Sequence, residues 1–296
     1  MQDHLVKAIA DGVRVHAAIT TDLVNKAVSL HDCYPVASAA LGRTMTGALL
    51  MAANLKNKEC ITIKFDGNGP LGKIVADATS DGVVRGYIEN PHVDLPLNQL
   101  GKLDVGGGVG AGILSVTRFT GLKDPITGSS EIVSGEIGDD LTNYLYTSEQ
   151  TPSSVGVGVL VGTDLKVIAA GGFILQPLPD ATDETITKLE NNLKKIRPVS
   201  KMVNDGLDAK GIIAELLQGF DVEYLSTTDL SFKCQCSKER IESVLMSLNE
   251  KDLQSLVDDG HAEVCCHFCN NKYEFSKEEL EALIHVAQKL KQHQSK

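Results

Sequence analysis

Residues 61–90, ITIKFDGNGPLGKIVADATSDGVVRGYIEN, decide the fold class. β-branched residues alternate with polar ones, and Asp66-Gly67 and Asp81-Gly82 interrupt the alternation, which predicts a strand meander with tight turns. On the N-terminal side, the Ala/Leu/Met-rich segment from Pro35 to Leu55 has helix-forming composition and little charge, and so predicts a helix buried on most faces. On the C-terminal side, residues 153–176, SSVGVGVLVGTDLKVIAAGGFILQ, read as a hairpin turning near Gly162 to Asp164. The pattern lacks a regular βαβ alternation. It predicts an α+β domain of mixed helices and antiparallel sheet over residues 1–176.

After QPLPD (176–180) the composition shifts to helix formers with charge on one face, TDETITKLENNLKKIRPVSKMVNDGLDAKGIIAELLQGF (182–220). Thr182 can cap a first helix, Pro198 can end it and Asp208 can cap another. Such short helices are stable mainly through what they pack against. Residues 177–230 therefore read as a helical linker. The remainder, 231–296, sets a cysteine cluster between helical stretches, and Ser276 and Glu279 stand at capping-box spacing, so a helix should begin just after the NKYEF strand. This small C-terminal module has little apolar material of its own and needs a staple.

A formal charge of −11 and a pI near 5.2, with no run of five basic residues, argue against a phosphate-binding surface. No nucleic-acid partner is expected. The N-terminal MQDHLVKAIADGVRV has no signal-peptide pattern, and YPVASAALGRTMTGALLMAANL is interrupted by Arg43, so neither export nor a membrane span is predicted. The expected compartment is the cytoplasm, where clustered thiols read as metal ligands or redox sensors and not as structural disulfides.

Several motifs fail on context. GNGPLGKI (67–74) nearly matches a phosphate-binding loop, but Ile74 has no hydroxyl for magnesium and strand-like residues follow, so a hairpin turn is expected. GGGVGAG (106–112) precedes the β-rich ILSVTRF and reads as a flexible loop or bulge, because a dinucleotide fingerprint must open a helix. No nucleophile elbow, paired-histidine zinc helix or Ser/His/Asp ordering is present. Asp139, Asp140, His4 and His16 read as surface residues or satisfied hydrogen-bonders. No catalytic residue is proposed, and the chain reads as a non-enzyme.

The chemistry lies in the cysteines. Five of seven fall in the last 63 residues, and Cys33 and Cys60 read as buried small hydrophobes. Cys234-x-Cys236 and Cys266-x-x-Cys269 are two short-spaced pairs of the kind that surround one tetrahedral zinc ion per chain, the second resembling a zinc knuckle whose turn N–H groups support the thiolates. Cys265-x-x-x-Cys269 is a second possible pair, and His267 or His261 can replace a thiolate; the C-x-x-C spacing favours Cys266. Zinc keeps its thiolates deprotonated and nucleophilic, so the ligand set doubles as an oxidant sensor. Oxidation to disulfides removes the ligands and with them the folding free energy that the metal supplies, about 10 kcal/mol in zinc-finger-sized modules. The upstream helices then lose a packing partner, which exposes residues such as Ile212, Ile213, Leu216 and Leu217.

The four cysteines, with VCCHFCNNKY around the second pair, resemble the redox-regulated bacterial chaperone family called heat-shock protein thirty-three. ASAALGRTMTGALLMAA, GKLDV, IVSGEIGDDLTNYLYTSEQTPSSVGVGVLV and AAGGFILQPLPDATDETI extend the likeness over nearly the whole chain. The resemblance implies an ATP-independent holdase, with 1–176 as the chaperone core, 177–230 as a redox-sensitive linker and 231–296 as the redox-switch domain. It implies inactivity when reduced and zinc-bound, and activation by peroxide with heat, or by hypochlorous acid, through Cys234–Cys236 and Cys266–Cys269 disulfides. The active form would bind unfolding proteins and dimerise. Two features depart from the family pattern: GKLDVGGGVG lacks basic residues after LDV, and Cys265 is an extra thiol. The rival classes are a zinc-ribbon nucleic-acid adaptor, disfavoured by 9 Lys/Arg against 11 Asp/Glu from Ser231 onward, a difference of −2, and a thiol-disulfide oxidoreductase, which would place C-x-x-C at a helix N-terminus in a βαβ unit.

Overall fold

Residues 35–52 form a helix in which 16 of 18 residues are buried, leaving only Pro35 and Arg43 with more than residual exposure. An element with so little polar surface must be covered on nearly every side, and two sheets do this. The computed structural model describes residues 1–56, 59–121 and 124–294. The chain divides into two compact units, Met1–Lys233 and Cys234–Lys296.

The first unit runs β1 (His4–Ala10), β2 (Val13–Ile19), α1 (Thr21–His31), α2 (Pro35–Ala52), β3 (Cys60–Gly67), β4 (Lys73–Thr79), β5 (Val83–Ile88), α3 (Val105–Val109), β6 (Gly112–Phe119), β7 (Ile126–Glu131) and α4 (Gly138–Thr147). It continues through β8 (Ser154–Val161), β9 (Val167–Pro177), α5 (Asp183–Leu193), α6 (Val199–Asn204), α7 (Ala209–Leu216), β10 (Glu223–Asp229) and β11 (Ser231–Phe232). One sheet has the order β10-β1-β2-β9-β8 and is antiparallel throughout; the other, β11-β5-β4-β3-β6-β7, is antiparallel except where β11 runs parallel to β5. Helix α2 packs against β3, β4 and β5 of one sheet and β2, β8 and β9 of the other. This is the expected α+β architecture, with the meander at β3–β5 and the hairpin at β8–β9.

The five-stranded sheet carries an apolar core on each face. Leu5 and Ala18 join the core around α2, whereas Val6, Ala8, Val13, Val15 and Ala17 face a second core closed by α5, α6 and α7. Those helices have 11, 6 and 8 residues, lengths that are marginal alone in water. Their stability comes from Leu189, Val199, Met202, Ile212, Ile213, Leu216 and Leu217, all buried on the sheet. Thr182 and Asp208 cap α5 and α7 as expected, through Thr185 N–H and Gly211 N–H.

Several local expectations change. The segment 177–230 is not helical throughout: residues 223–229 form β10, an edge strand paired antiparallel with β1. Helix α5 stops at Leu193, and Pro198 instead stands at the N-cap of α6. Asp66-Gly67 belongs to β3, and the chain turns after it, with Gly72 at φ +63°. Residues 105–109 form the short helix α3, where a flexible loop was expected, because the Asp104 carboxylate accepts Gly107 N–H at 2.9 Å. Gly108 lets α3 approach the core; a Cβ there would sit 2.7 Å from Leu71 Cδ1. Asp140, by contrast, is a satisfied hydrogen-bonder as expected: it is fully buried, and its carboxylate accepts N–H groups of Val133, Ser134, Gly135 and Ile137. His16 is also buried and Cys60 is half-buried, whereas Cys33 is buried as expected.

The second unit holds α8 (Lys238–Met246), α9 (Glu250–Asp259), β12 (His261–Cys265), β13 (Lys272–Ser276) and α10 (Lys277–Gln294). Ser276 N–H donates to Glu279 Oε2 and Glu279 N–H to Ser276 Oγ, the expected capping box. Its apolar core consists of Leu245, Leu253, Val257, Ala262, Phe275, Leu280, Leu283 and Ile284. Eight buried side chains are few for a unit of this length, and a cross-link is the usual remedy.

Candidate metal centre

The β12–β13 hairpin builds half of the site. Cys265 pairs with Lys272 at its end, and the chain then turns through Cys266–Asn271. Asn270 takes φ +57° there, a conformation Asn tolerates better than most residues. Asn271 O accepts Cys266 N–H at 2.9 Å, and Cys266 O accepts Asn270 N–H at 2.8 Å, which fixes the C-x-x-C turn. The other half precedes α8, whose N-cap Ser237 side chain accepts Arg240 N–H immediately after Cys236.

These segments bring four sulfur atoms, those of Cys234, Cys236, Cys266 and Cys269, within 4.8 Å of one another. Cys234 Sγ lies 3.7 Å from Cys266 Sγ, and Cys236 Sγ 3.3 Å from Cys269 Sγ. A tetrahedral zinc with Zn–S bonds of about 2.3 Å requires S–S separations of about 3.8 Å. The cluster has that scale, and its donors are all soft sulfur, the set that suits zinc. Cys265 is exposed and stands outside the cluster, as does the exposed His261; among the described residues the converging set is those four cysteines.

Hydrogen bonds support three of the sulfurs. The N–H groups of Phe268 and Asn271 point to Cys266 and Cys269, as expected of a knuckle turn. The Tyr273 hydroxyl reaches Cys236 Sγ at 3.1 Å. The four groups differ in acidity: burial pushes the Cys266 and Cys269 thiols up, whereas at Cys236 burial is outweighed by hydrogen bonds from Tyr273 and the neighbouring thiols, which bring it down to about 7. Four adjacent thiolates cannot all ionise against one another without a cation, and a dication supplies the missing charge.

A family model described as "Hsp33 protein" matches residues 3–276. The chain belongs to the Hsp33 family. It is 53% identical over 285 residues to the "33 kDa chaperonin" of Bacillus subtilis, covering 95% of this chain and 98% of that protein. The 33 kDa chaperonin of Staphylococcus epidermidis is 48% identical over 286 residues, covering 95% of this chain and 98% of its own. Among solved structures, the 33 kDa chaperonin of Thermotoga maritima superposes with a TM-score of 0.88 at 36% identity, covering 96% of this chain and 98% of that one. Hsp33 proteins are chaperones and not enzymes, in agreement with the absence of a catalytic constellation in the sequence. No helix among the described residues is long and apolar enough to cross a membrane.

Within the Hsp33 frame, the C-x-x-C lies at a β-hairpin turn and not at a helix N-terminus, which removes the structural basis for an oxidoreductase of the βαβ type. Tyr273 was not singled out by sequence, although an aromatic strand directly after C-x-x-C was its signal. Sulfur contacts join the two pairs to each other, Cys234 to Cys266 and Cys236 to Cys269.

Proposed function

We propose that this Hsp33 chain is a redox-regulated, ATP-independent holdase whose Cys234, Cys236, Cys266 and Cys269 hold one zinc ion per chain when reduced. The observation that carries this reading is the convergence of four sulfurs within 4.8 Å in a unit with a small apolar core. Zinc bound there would cross-link the β12–β13 hairpin to the segment before α8 and hold all four sulfurs as thiolates. Oxidation of these side chains to the Cys234–Cys236 and Cys266–Cys269 disulfides takes all four away from metal binding. The module then lacks its cross-link and unfolds.

The surface that such a switch would uncover is present. Ile212, Ile213, Leu216 and Leu217 are fully buried on the five-stranded sheet, in one core with Val13, Val15, Phe173 and Leu175. Residues 177–230 act as the labile, redox-sensitive segment between a chaperone core at 1–176 and the switch module at 231–296, and their opening exposes a continuous apolar face to unfolding cytoplasmic proteins. The oxidised chain dimerises through newly exposed surface of the same kind. Neither nucleic acid nor a membrane is a partner, in keeping with the net charge of −11.

The test is suppression of light scattering by a chemically denatured client, without ATP, by reduced zinc-loaded protein and by the same protein after peroxide at raised temperature. Suppression by the oxidised form alone supports the holdase reading. Equal aggregation with the oxidised protein and with buffer overturns it.

A further inference from the structure

The hydroxyl of Tyr273 is a side-chain donor from outside the cysteines that reaches the sulfur cluster. Its position is imposed by the hairpin. In β13 the residues alternate, so that Tyr273 and Phe275 face the module core while Lys272, Glu274 and Ser276 are exposed. The register sets Tyr273 opposite Val264, one residue before the cysteine pair on β12. The ring is therefore anchored on the strand pair that carries Cys266 and Cys269, and its hydroxyl crosses to Cys236, which belongs to the other pair.

The direction of the bond is also set. The Tyr273 hydroxyl is the donor and Cys236 Sγ the acceptor. A thiolate offers only lone pairs, so the Tyr273 O–H donates to Cys236 Sγ, at 3.1 Å. An accepted hydrogen bond orients a metal-binding side chain and withdraws electron density from it. For a thiolate already held deprotonated, the second effect lowers nucleophilicity.

We propose that Tyr273 is a positioning residue for Cys236: its hydroxyl aims that sulfur at the metal and damps its attack on electrophiles, so that it sets how readily the switch is tripped. This rests on the assignment of Cys236 as a zinc ligand. With peroxide as oxidant, the Cys236 thiolate attacks one oxygen, the O–O bond breaks, and Cys236 sulfenic acid and hydroxide form. A second thiolate then attacks that sulfur, forming the S–S bond and expelling a second hydroxide. The two electrons lost by the two sulfurs are those gained by the peroxide. Tyr273 acts on the first of these steps by holding the attacking lone pair.

Tyr273→Phe keeps the ring and its packing and removes only the hydroxyl. In the zinc-loaded full chain, two readouts are compared with the parent: zinc affinity by chelator competition, and the rate of Cys236 carbamidomethylation by iodoacetamide, resolved by site with mass spectrometry. The expected results are a loss of zinc affinity of about tenfold and alkylation at Cys236 faster by about threefold. Tyr273→Leu, which also loses the hydroxyl, should share both changes if it folds. Parental affinity together with a parental Cys236 rate in Tyr273→Phe overturns the proposal and makes Tyr273 a packing residue only. Neither readout involves an oxidant. If peroxide fails to release zinc from the parent, the redox switch falls, while the affinity and alkylation data still decide the role of Tyr273.

Discussion

Cys265 and Cys266 are neighbours in sequence with different surroundings at the end of β12: Cys266 Sγ lies 3.7 Å from Cys234 Sγ, whereas Cys265 is exposed and paired across the hairpin with Lys272. The end of the strand separates them: Cys265 is the last residue of β12, and Cys266 opens the turn that carries the ligands. The consequence is a sharp contrast between two conservative substitutions. Cys266→Ser should lower zinc affinity by more than about a hundredfold, beyond the effect of losing an outer hydrogen-bond partner. Cys265→Ser should leave it unchanged. Isothermal titration or chelator competition on both variants measures this; loss of affinity in Cys265→Ser alone would reassign the ligand.

Truncation inside the helical layer separates sensing from unmasking. Ile213 is fully buried between α7 and the five-stranded sheet. Ile213→Ala should destabilise that layer by about 2–5 kcal/mol through lost transfer free energy and a residual cavity. Zinc affinity should stay parental while client binding begins at a lower temperature. Thermal melts, zinc titration and the light-scattering assay together check this, and an unchanged activation temperature would count against the layer as the masking element.

Two buried groups in the first unit oppose each other on acidification. Burial raises the Asp3 carboxyl to about 6 despite N–H bonds from Leu23 and Asp22. Burial, reinforced by the Lys7 and Arg14 cations, lowers His16 to about 4. The stability from Asp3 is complete below its ordinary value of 3.8 and is lost as pH rises through about 6. That from His16 is complete above 6.5 and is lost as pH falls through about 4. Between those limits the two slopes cancel. Asp3→Asn leaves His16 unopposed, so the variant should lose stability with falling pH more steeply than the parent, by about 1 kcal/mol per pH unit. Urea midpoints across that range measure the slope; parallel profiles would refute it.

Asp140 is a structural carboxylate. It accepts four backbone N–H groups in the turn before α4, at 2.8 Å to Val133 and 3.0 Å to Ile137 at the near and far ends of that turn. Asp140→Ala strands buried donors and should cost more than about 3 kcal/mol of unfolding free energy, without altering zinc affinity. Denaturant unfolding reads the first quantity, and chelator competition the second.

The elements legible in sequence were those whose pattern is local. Strands β3–β5 carry their own alternation, α2 its own apolar run with little charge, and Ser276 with Glu279 a cap visible in four letters. Strand β10 escaped because nearly all of its side chains are exposed, and it exists through pairing with β1, more than 200 residues earlier in the chain. Asp140 and His16 read as ordinary polar residues because what buries them is a turn and a sheet face assembled from distant segments. At the site, spacing alone favoured Cys266 over Cys265, and the end of β12 between them gives the physical reason. Tyr273 needed the hairpin register, which no count of residues along the chain supplies.

The most direct test follows zinc and chaperone function in one sample. Zinc-loaded protein is oxidised in steps with peroxide at raised temperature, and at each step released zinc, remaining thiols and suppression of client aggregation are measured together. If the four cysteines are the switch, suppression rises in proportion to zinc released, as four thiols are lost per zinc. Full suppression with zinc still bound, or complete zinc release with no suppression, would contradict it.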